Sequence, residues 1–123
     1  MLTEEQATKI IETIADATPG FIAAALVDLE SGMTLGVYST RPDFDLSAAS
    51  AYNSEIVKQK QKVMLALGLQ SDLEDMIMTL SDQIHLIKLV SDTSFLYLAA
   101  NREGSNLALI RNAVMKHVDE LAN

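Results

Sequence analysis

A helix-length stretch from Leu46 to Gly68 lies between two strand-like segments and a run of three more, and this order constrains the fold more than any motif does. The stretch contains no proline, and its single glycine, Gly68, stands where a C-terminal cap is expected. Asp45 or Ser47 could cap its start. On a helical wheel the apolar residues share one stripe, which consists of Ala49, Tyr52, Ile56, Val63 and Leu67. We therefore predict a long amphipathic helix in the middle of the chain.

Two further helices are predicted near the ends of the sequence. Thr3 and Gln6 have the spacing of a capping box, and apolar residues then recur at helical spacing as far as Pro19-Gly20. This pattern predicts a first helix over 3–17. Ser105 or Asn106 suits the N-cap of a last helix, whose apolar positions are Leu107, Ile110, Val114, Val118 and Leu121.

The remaining apolar segments are typical of strands. Phe21 to Leu29 is apolar at nearly every position, as in a strand covered on both faces, and a glycine-containing turn leads into a second strand from Met33 to Ser39. Three apolar runs between Asp75 and Ala100 are joined by links too short for a helical crossover, which favours an antiparallel meander. We predict one α+β domain over 1–123, in the order α-β-β-α-β-β-β-α, with helices able to cover both sheet faces.

The charge and the N-terminal segment restrict the partners and the compartment. Seventeen acidic residues against nine basic ones give a net charge of −8, which argues against a nucleic-acid or anionic-membrane partner. The segment MLTEEQATKIIETIADA lacks the apolar core of a signal peptide, and no stretch approaches the ~18 consecutive apolar residues of a membrane span. We expect a cytoplasmic protein that does not insert into membranes.

The residues that usually carry catalysis or bind cofactors are sparse. The sequence has no cysteine, and its five glycines form neither a phosphate-binding loop nor a nucleophile elbow. His85 and His117 have no second ligand at metal-binding spacing, which favours a structural or surface role for both. Helix capping and small-residue packing account best for Ser47, Ser50 and Ser54. We predict a protein that is not an enzyme, without a catalytic residue, a metal or a cofactor.

Two features of the middle of the chain indicate a partner. The segment from Ile56 to Gly68 contains three lysines and no acidic residue, so it carries +3 on a chain of net −8 and leaves −11 on the rest. A charged run can be a solvated face or a docking surface, and both interpretations stay open here. The second feature is the apolar segment directly after the helix, which would invite pairing with another chain if it formed a sheet edge. The lysines are Lys58, Lys60 and Lys62, and the apolar segment is Met76, Ile77 and Met78.

Three segments, in this order, resemble the roadblock/dynein light chain domain family. They are ALVDLESGMTLG, similar to the first hairpin of the family, the long middle helix, and FLYLAANREGSNLALIRNAV, similar to the strand that enters the last helix. The resemblance covers nearly the whole chain. It implies a five-stranded antiparallel sheet in the order 2-1-5-4-3, with the first and last helices on one face and the long helix on the other.

The same resemblance implies how the chain would associate and what it would bind. Similar members form homodimers or heterodimers by joining their third strands edge to edge and laying their middle helices side by side. They serve as dynein-associated light chains, as scaffolds for small Ras-like GTPases and, in bacteria, as activators of a polarity GTPase, with no catalytic residue of their own. Carried onto this sequence, the dimer interface would consist of Tyr52, Ile56, Val63, Leu67, Met76, Ile77 and Met78.

The leading hypothesis is a non-catalytic homodimeric scaffold that binds a small Ras-like GTPase, as an activator or an adaptor, through Lys58, Lys60 and Lys62. A motor-associated light chain adaptor is one alternative. A small-ligand sensor of the PAS-like or profilin-like type is another, because such modules also cover a sheet with a long helix. The sensor hypothesis predicts a cavity lined by Tyr38, Phe44 and Tyr97.

Overall fold

The computed structural model describes residues 2–122 and contains four helices and five strands in that range. In chain order they are α1 (Glu4–Asp16), β1 (Phe21–Asp28), β2 (Thr34–Ser39), α2 (Leu46–Ala66), β3 (Asp75–Thr79), β4 (Gln83–Ser91), β5 (Ser94–Asn101), α3 (Leu107–Met115) and α4 (Val118–Leu121). The strands form one antiparallel sheet in the order β2-β1-β5-β4-β3. The predicted fold class and strand order are confirmed.

The two central strands carry the core because both of their faces are covered. In β1 every residue from Ile22 to Val27 is buried, and in β5 every residue from Ser94 to Ala100 is buried. Alternate residues of these strands face opposite sides, so the sheet separates two apolar clusters. Side chains of α1, α3 and α4 fill the first cluster, and side chains of α2 fill the second. Each fully buried leucine or isoleucine stabilises the fold by about 1.5–3 kcal/mol.

The start of α1 is fixed by the capping box that the sequence predicts. The Gln6 amide donates to the Thr3 hydroxyl at 3.1 Å, and the Thr3 amide donates to Oε1 of Gln6 at 2.9 Å. Such a cap typically stabilises a helix by about 1 kcal/mol. The helix then buries Ala7, Ile11 and Ile14 against the sheet.

The bounds of α2 also follow from local chemistry. Asp45 is the N-cap, since its Oδ1 accepts a hydrogen bond from the Ala48 amide at 3.0 Å. The helix ends before Gly68, which has a φ of +70° and donates its amide to the Leu65 carbonyl at 3.0 Å. Glycine adopts this left-handed conformation without a steric penalty, and this is why the helix stops there.

The structure divides the predicted last helix in two. α3 ends at Met115 and α4 begins at Val118, while His117 between them has a φ of −122° and a ψ of 0°. Its Nδ1 atom lies 3.0 Å from Oε1 of Glu120. The apolar spacing continues across the break because Leu121 still reaches the core, so the pattern alone does not reveal the interruption.

Candidate interaction surface

β3 lies at an edge of the sheet. It pairs with β4 alone, with Ile77 opposite Leu86 and Met78 opposite His85, and no other strand within residues 2–122 pairs with its outer side. The backbone groups along that side are therefore open to another chain. From the sequence, pairing with another chain was expected only if this segment formed an edge of the sheet. The structure places β3 at an edge.

The three apolar residues of β3 divide between the two faces of the sheet. Met76 and Met78 are partly buried and pack against the cluster under α2, whereas Ile77 packs against the cluster under α1 and α3. Two methionines therefore remain partly accessible on the α2 side of this edge. An interface on the α2 side would include them, while Ile77 would contribute through its backbone.

The face that α2 turns to the sheet consists mainly of small polar residues. The buried residues of the helix are Leu46, Ser50, Asn53, Ser54 and Val57. Ser54 donates its hydroxyl hydrogen to the Leu29 carbonyl at 2.5 Å, which fixes the helix to the end of β1. No residue after Val57 in α2 is buried. The second half of the helix therefore contributes no buried residue to the core.

Four of the five residues in the apolar stripe that the sequence predicts face solvent, whereas Ala49 packs against the cluster under α2. We use "apolar stripe" for Tyr52, Ile56, Val63 and Leu67, all of which are exposed, Tyr52 to 73% and Leu67 to 67%. At about 100° per residue, the stripe lies roughly a quarter to a third of a turn away from the sheet-facing residues. Apolar side chains concentrated on one exposed surface commonly mark an interaction site. The assignment of these residues to a dimer interface stays a prediction.

The hairpin between β1 and β2 contacts the flank of α2 that is turned away from the apolar stripe, where Nζ of Lys58 donates to the Glu30 carbonyl at 2.8 Å. The helix and the two methionines of the open edge, Met76 and Met78, lie on the same face of the sheet.

The three lysines of α2 do not form one surface. Residues two apart on a helix point in nearly opposite directions, whereas residues four apart share a side. Lys58 and Lys62 therefore share one flank, and Lys60 lies beside the apolar stripe. Docking of a partner through Lys58, Lys60 and Lys62 stays a prediction. Helical spacing alone, applied to the numbers 58, 60 and 62, carries the signal for this division.

The ligand-sensor hypothesis predicts a cavity lined by Tyr38, Phe44 and Tyr97, and this prediction is wrong. Tyr38 packs against the cluster under α1, where its ring centroid lies 5.9 Å from that of Phe21. Phe44 and Tyr97 belong to the cluster under α2. Because the sheet separates Tyr38 from the other two aromatic rings, the three cannot line one pocket.

Sequence reasoning missed a contact between His85 on β4 and Tyr97 on β5. The Tyr97 hydroxyl lies 3.2 Å from Nδ1 of His85, and Nε2 of the same imidazole lies 2.7 Å from Oε1 of Gln83. Burial lowers the pKa of His85, an effect that the nearby Asp82 carboxylate opposes, and burial raises the pKa of Tyr97 to about 12. These neutral groups satisfy each other within the fold, which fits the structural role expected for His85.

The part of the chain that the structure describes shows no group of three or more histidine, cysteine or acidic side chains that could hold a metal ion. None of the helices within residues 2–122 combines the length and the apolar character that crossing a membrane requires.

Comparison with known proteins supports the fold assignment. No protein-family profile and no curated protein matches the sequence. Among solved structures, an MglB with a tetrameric arrangement is similar over 98% of this chain and 88% of its own, with a TM-score of 0.86 at 15% identity. The gliding protein MglB of Thermus thermophilus gives the same coverage and identity, with a TM-score of 0.85. A roadblock/LC7 domain from Streptomyces avermitilis, 16% identical, has a TM-score of 0.82 over 93% of this chain and 92% of its own. The chain therefore has the roadblock/LC7 fold.

Proposed function

We propose that this protein is a non-catalytic homodimeric scaffold that binds a small Ras-like GTPase. The observations that carry the proposal are the exposed apolar stripe of α2 and the open edge of β3, whose two methionines lie on the α2 face of the sheet. A single chain leaves both features in solvent. A second copy would cover them by pairing its own β3 along the edge and placing its own stripe against the first.

The dimensions of this surface suit a dimer. Specific interfaces bury roughly 1,200–2,000 Å² in total, and a strand of five residues supplies too little area alone. The apolar stripe extends for about 22 Å from Tyr52 to Leu67, at 1.5 Å per residue, and adds a helical contact to the strand pairing. Backbone hydrogen bonds at the edge would fix the register, and the apolar side chains would supply most of the association free energy.

The comparisons support the proposal at the level of the fold. One similar MglB is known in a tetrameric arrangement, so self-association occurs on this scaffold in that protein. GTPase binding without catalytic residues is what the family resemblance of the sequence implies. The sequence has no cysteine, no phosphate-binding loop and no nucleophile elbow, and this scarcity of catalytic motifs fits a binding role.

Self-association is tested by sedimentation equilibrium of the full chain. The parent protein should sediment as a dimer, and Val63→Glu, which places a charge within the apolar stripe, should sediment as a monomer with an unchanged circular dichroism spectrum. Leu109→Glu on α3 is the matched control, because Leu109 is also exposed but belongs to the opposite helical layer. A parent chain that is monomeric at every concentration would remove the dimer from the proposal.

GTPase binding is tested by affinity capture with the immobilised parent dimer. The probes are the Ras-like GTPases encoded in the same genome, each purified with GDP or with a non-hydrolysable GTP analogue. At least one should be retained, and preference for one nucleotide would show that the scaffold senses the state of the GTPase. Retention of none would refute the GTPase part of the proposed function, whatever the sedimentation mass.

A further inference from the structure

Two thioethers and one imidazole share the α2 face of the sheet at the edge formed by β3. Met76 and Met78 are two residues apart on β3, so their side chains point to the same face, and both pack against the cluster under α2. His85 on β4 lies directly opposite Met78, and residues directly opposite each other project to the same face. The three side chains are therefore neighbours on one surface.

The spacing of these side chains suits a single small metal ion. The Cβ atoms of directly opposite residues such as Met78 and His85 lie roughly 4.5–5.5 Å apart. Diagonal neighbours such as Met76 and His85 lie roughly 7–8 Å apart, which is within reach of long side chains. Methionine has three rotatable bonds and a polarizable sulfur, so both thioethers can turn towards the imidazole. All three residues are only partly buried, which leaves an approach from solvent.

The contacts of the imidazole leave Nε2 as the atom that can bind an ion. Nδ1 of His85 lies 3.2 Å from the hydroxyl of the buried Tyr97, whose ring meets the imidazole edge to face at 5.4 Å between centroids. Nε2 lies 2.7 Å from Oε1 of Gln83, a partly exposed side chain on the same strand. An ion at Nε2 would displace this amide alone. The contact with Tyr97 would hold the ring, as a hydrogen bond at the second nitrogen does for most metal-bound histidines.

The ligand types decide which ion fits. The chain has no cysteine, so thioethers are its softest ligands. Thioether sulfur favours Cu(I) and imidazole also binds copper, whereas calcium and magnesium prefer oxygen ligands. Zinc sites are built from thiolate, imidazole and carboxylate, and this group offers one imidazole alone. The spacing of histidines and acidic residues does not reveal such a site, because its sulfur ligands are methionines.

We propose that Met76, Met78 and His85 form a binding site for Cu(I), with two thioether sulfurs and Nε2 of the imidazole as ligands. This site is separate from the proposed scaffold function. All three ligands belong to one chain and none is a backbone group of the open edge, so binding of the ion does not require a second copy.

The test is calorimetric titration of the full chain with Ag(I) in chloride-free buffer, since Ag(I) has the same ligand preference and is stable in air. The parent should bind one ion per chain. Met78→Leu, which nearly conserves volume, and His85→Gln should each weaken binding about tenfold or more, as loss of a ligand does. Met33→Leu beside β2 and His117→Gln after α3 are the matched controls, and each should change the affinity less than about twofold, as distant sites do.

Two further measurements identify the ligands and the ion. In carbon-13 NMR spectra the ε-methyl resonances of Met76 and Met78 should shift when Ag(I) is added, while that of Met33 stays in place. Cu(I), kept reduced under nitrogen, should compete with Ag(I) for the site, and Zn(II) should not. Absence of saturable binding by the parent, equal losses in the cluster variants and the controls, or equal binding of Zn(II) would overturn the proposal.

The outcomes are independent of the scaffold function. Val63→Glu, which should be monomeric, is expected to bind one Ag(I) per chain with the affinity of the parent. Loss of binding in this variant would overturn a site built from one chain and would leave the proposed dimer standing. Failure of every GTPase to bind would leave the metal site standing.

Discussion

Arg111 on α3 reaches Asp75 at the start of β3, and its Nη2 atom lies 2.8 Å from the carboxylate Oδ2. The two residues are 36 positions apart in sequence. The Asp75 side chain is 20% exposed and the Arg111 side chain is 50% exposed, so water screens the pair only in part. This ion pair fixes the first residue of the open edge strand to the helical layer behind it.

Removal of the guanidinium should loosen β3 more than the rest of the sheet. We expect Arg111→Ala to lower the free energy of unfolding by about 0.5–1 kcal/mol, as for a partly exposed ion pair, and less at high salt. Amide hydrogen exchange should increase in β3 while the protection of β1 and β5 is kept. Arg41→Ala is the control, because Arg41 pairs with Asp43 at 3.4 Å in an exposed loop. Equal effects of the two substitutions would argue against a specific role for the Asp75 contact.

The close approach of α1 to β2 depends on a glycine. A Cβ atom at Gly36 would lie 2.8 Å from Cβ of Ala7 and 3.3 Å from the amide nitrogen of Thr8. We expect Gly36→Ala to destabilise the fold by about 1–3 kcal/mol, since overpacking forces the helix away from the sheet. Urea unfolding measures the effect. The double variant with Ala7→Gly should show favourable coupling, because it removes the atom that clashes. Strict additivity would show that the contact is not the cause.

The buried hydrogen bond from the Ser54 hydroxyl to the Leu29 carbonyl should contribute measurably to the unfolding free energy. Both residues are buried, so Ser54→Ala leaves the carbonyl without this partner and should cost about 1–3 kcal/mol of unfolding free energy. Ser47→Ala is the matched control on the same helix, because Ser47 is exposed in its first turn. Urea unfolding that gives similar midpoints for both variants would contradict the prediction.

The elements of this fold could be predicted because local signals and tertiary packing agree in this chain. The apolar run of β1, the capping box at Thr3 and the glycine after α2 each indicate one structure, and the structure has them. The edge position of β3 could not be read from its residues, since strand order depends on contacts between distant segments. The family resemblance supplied that order.

The residues of the candidate surface were harder to predict from the sequence than the helices and strands. The apolar stripe of α2 was visible, but a stripe that faces solvent has the same pattern as one that faces a core. The true core face of α2 contains Ser50, Asn53 and Ser54, which a hydrophobicity pattern does not identify. The contact between His85 and Tyr97 was missed because it joins two strands at positions that only the register defines.

That contact makes the stability of the fold sensitive to mild acid. Burial lowers the pKa of His85 from its ordinary value near 6.5, so the folded chain binds this proton less readily than the unfolded chain does. Its contribution to stability is therefore complete above about pH 6.5 and is lost as the pH falls towards the lower pKa of the folded state. Protonation would also leave the hydroxyl hydrogen of the buried Tyr97 without its acceptor on the imidazole.

We expect the unfolding free energy of the parent to fall between pH 7.5 and pH 5.5 more steeply than that of His85→Gln, which cannot titrate. Urea unfolding at several pH values measures both slopes at the same protein concentration. Carboxylates titrate in both proteins, so the difference between the curves reports His85. Parallel curves would show that the His85 imidazole has no protonation-linked role in stability.

At the alkaline end, the raised pKa of Tyr97 predicts a further loss of stability between about pH 10 and pH 12, which Tyr97→Phe should abolish.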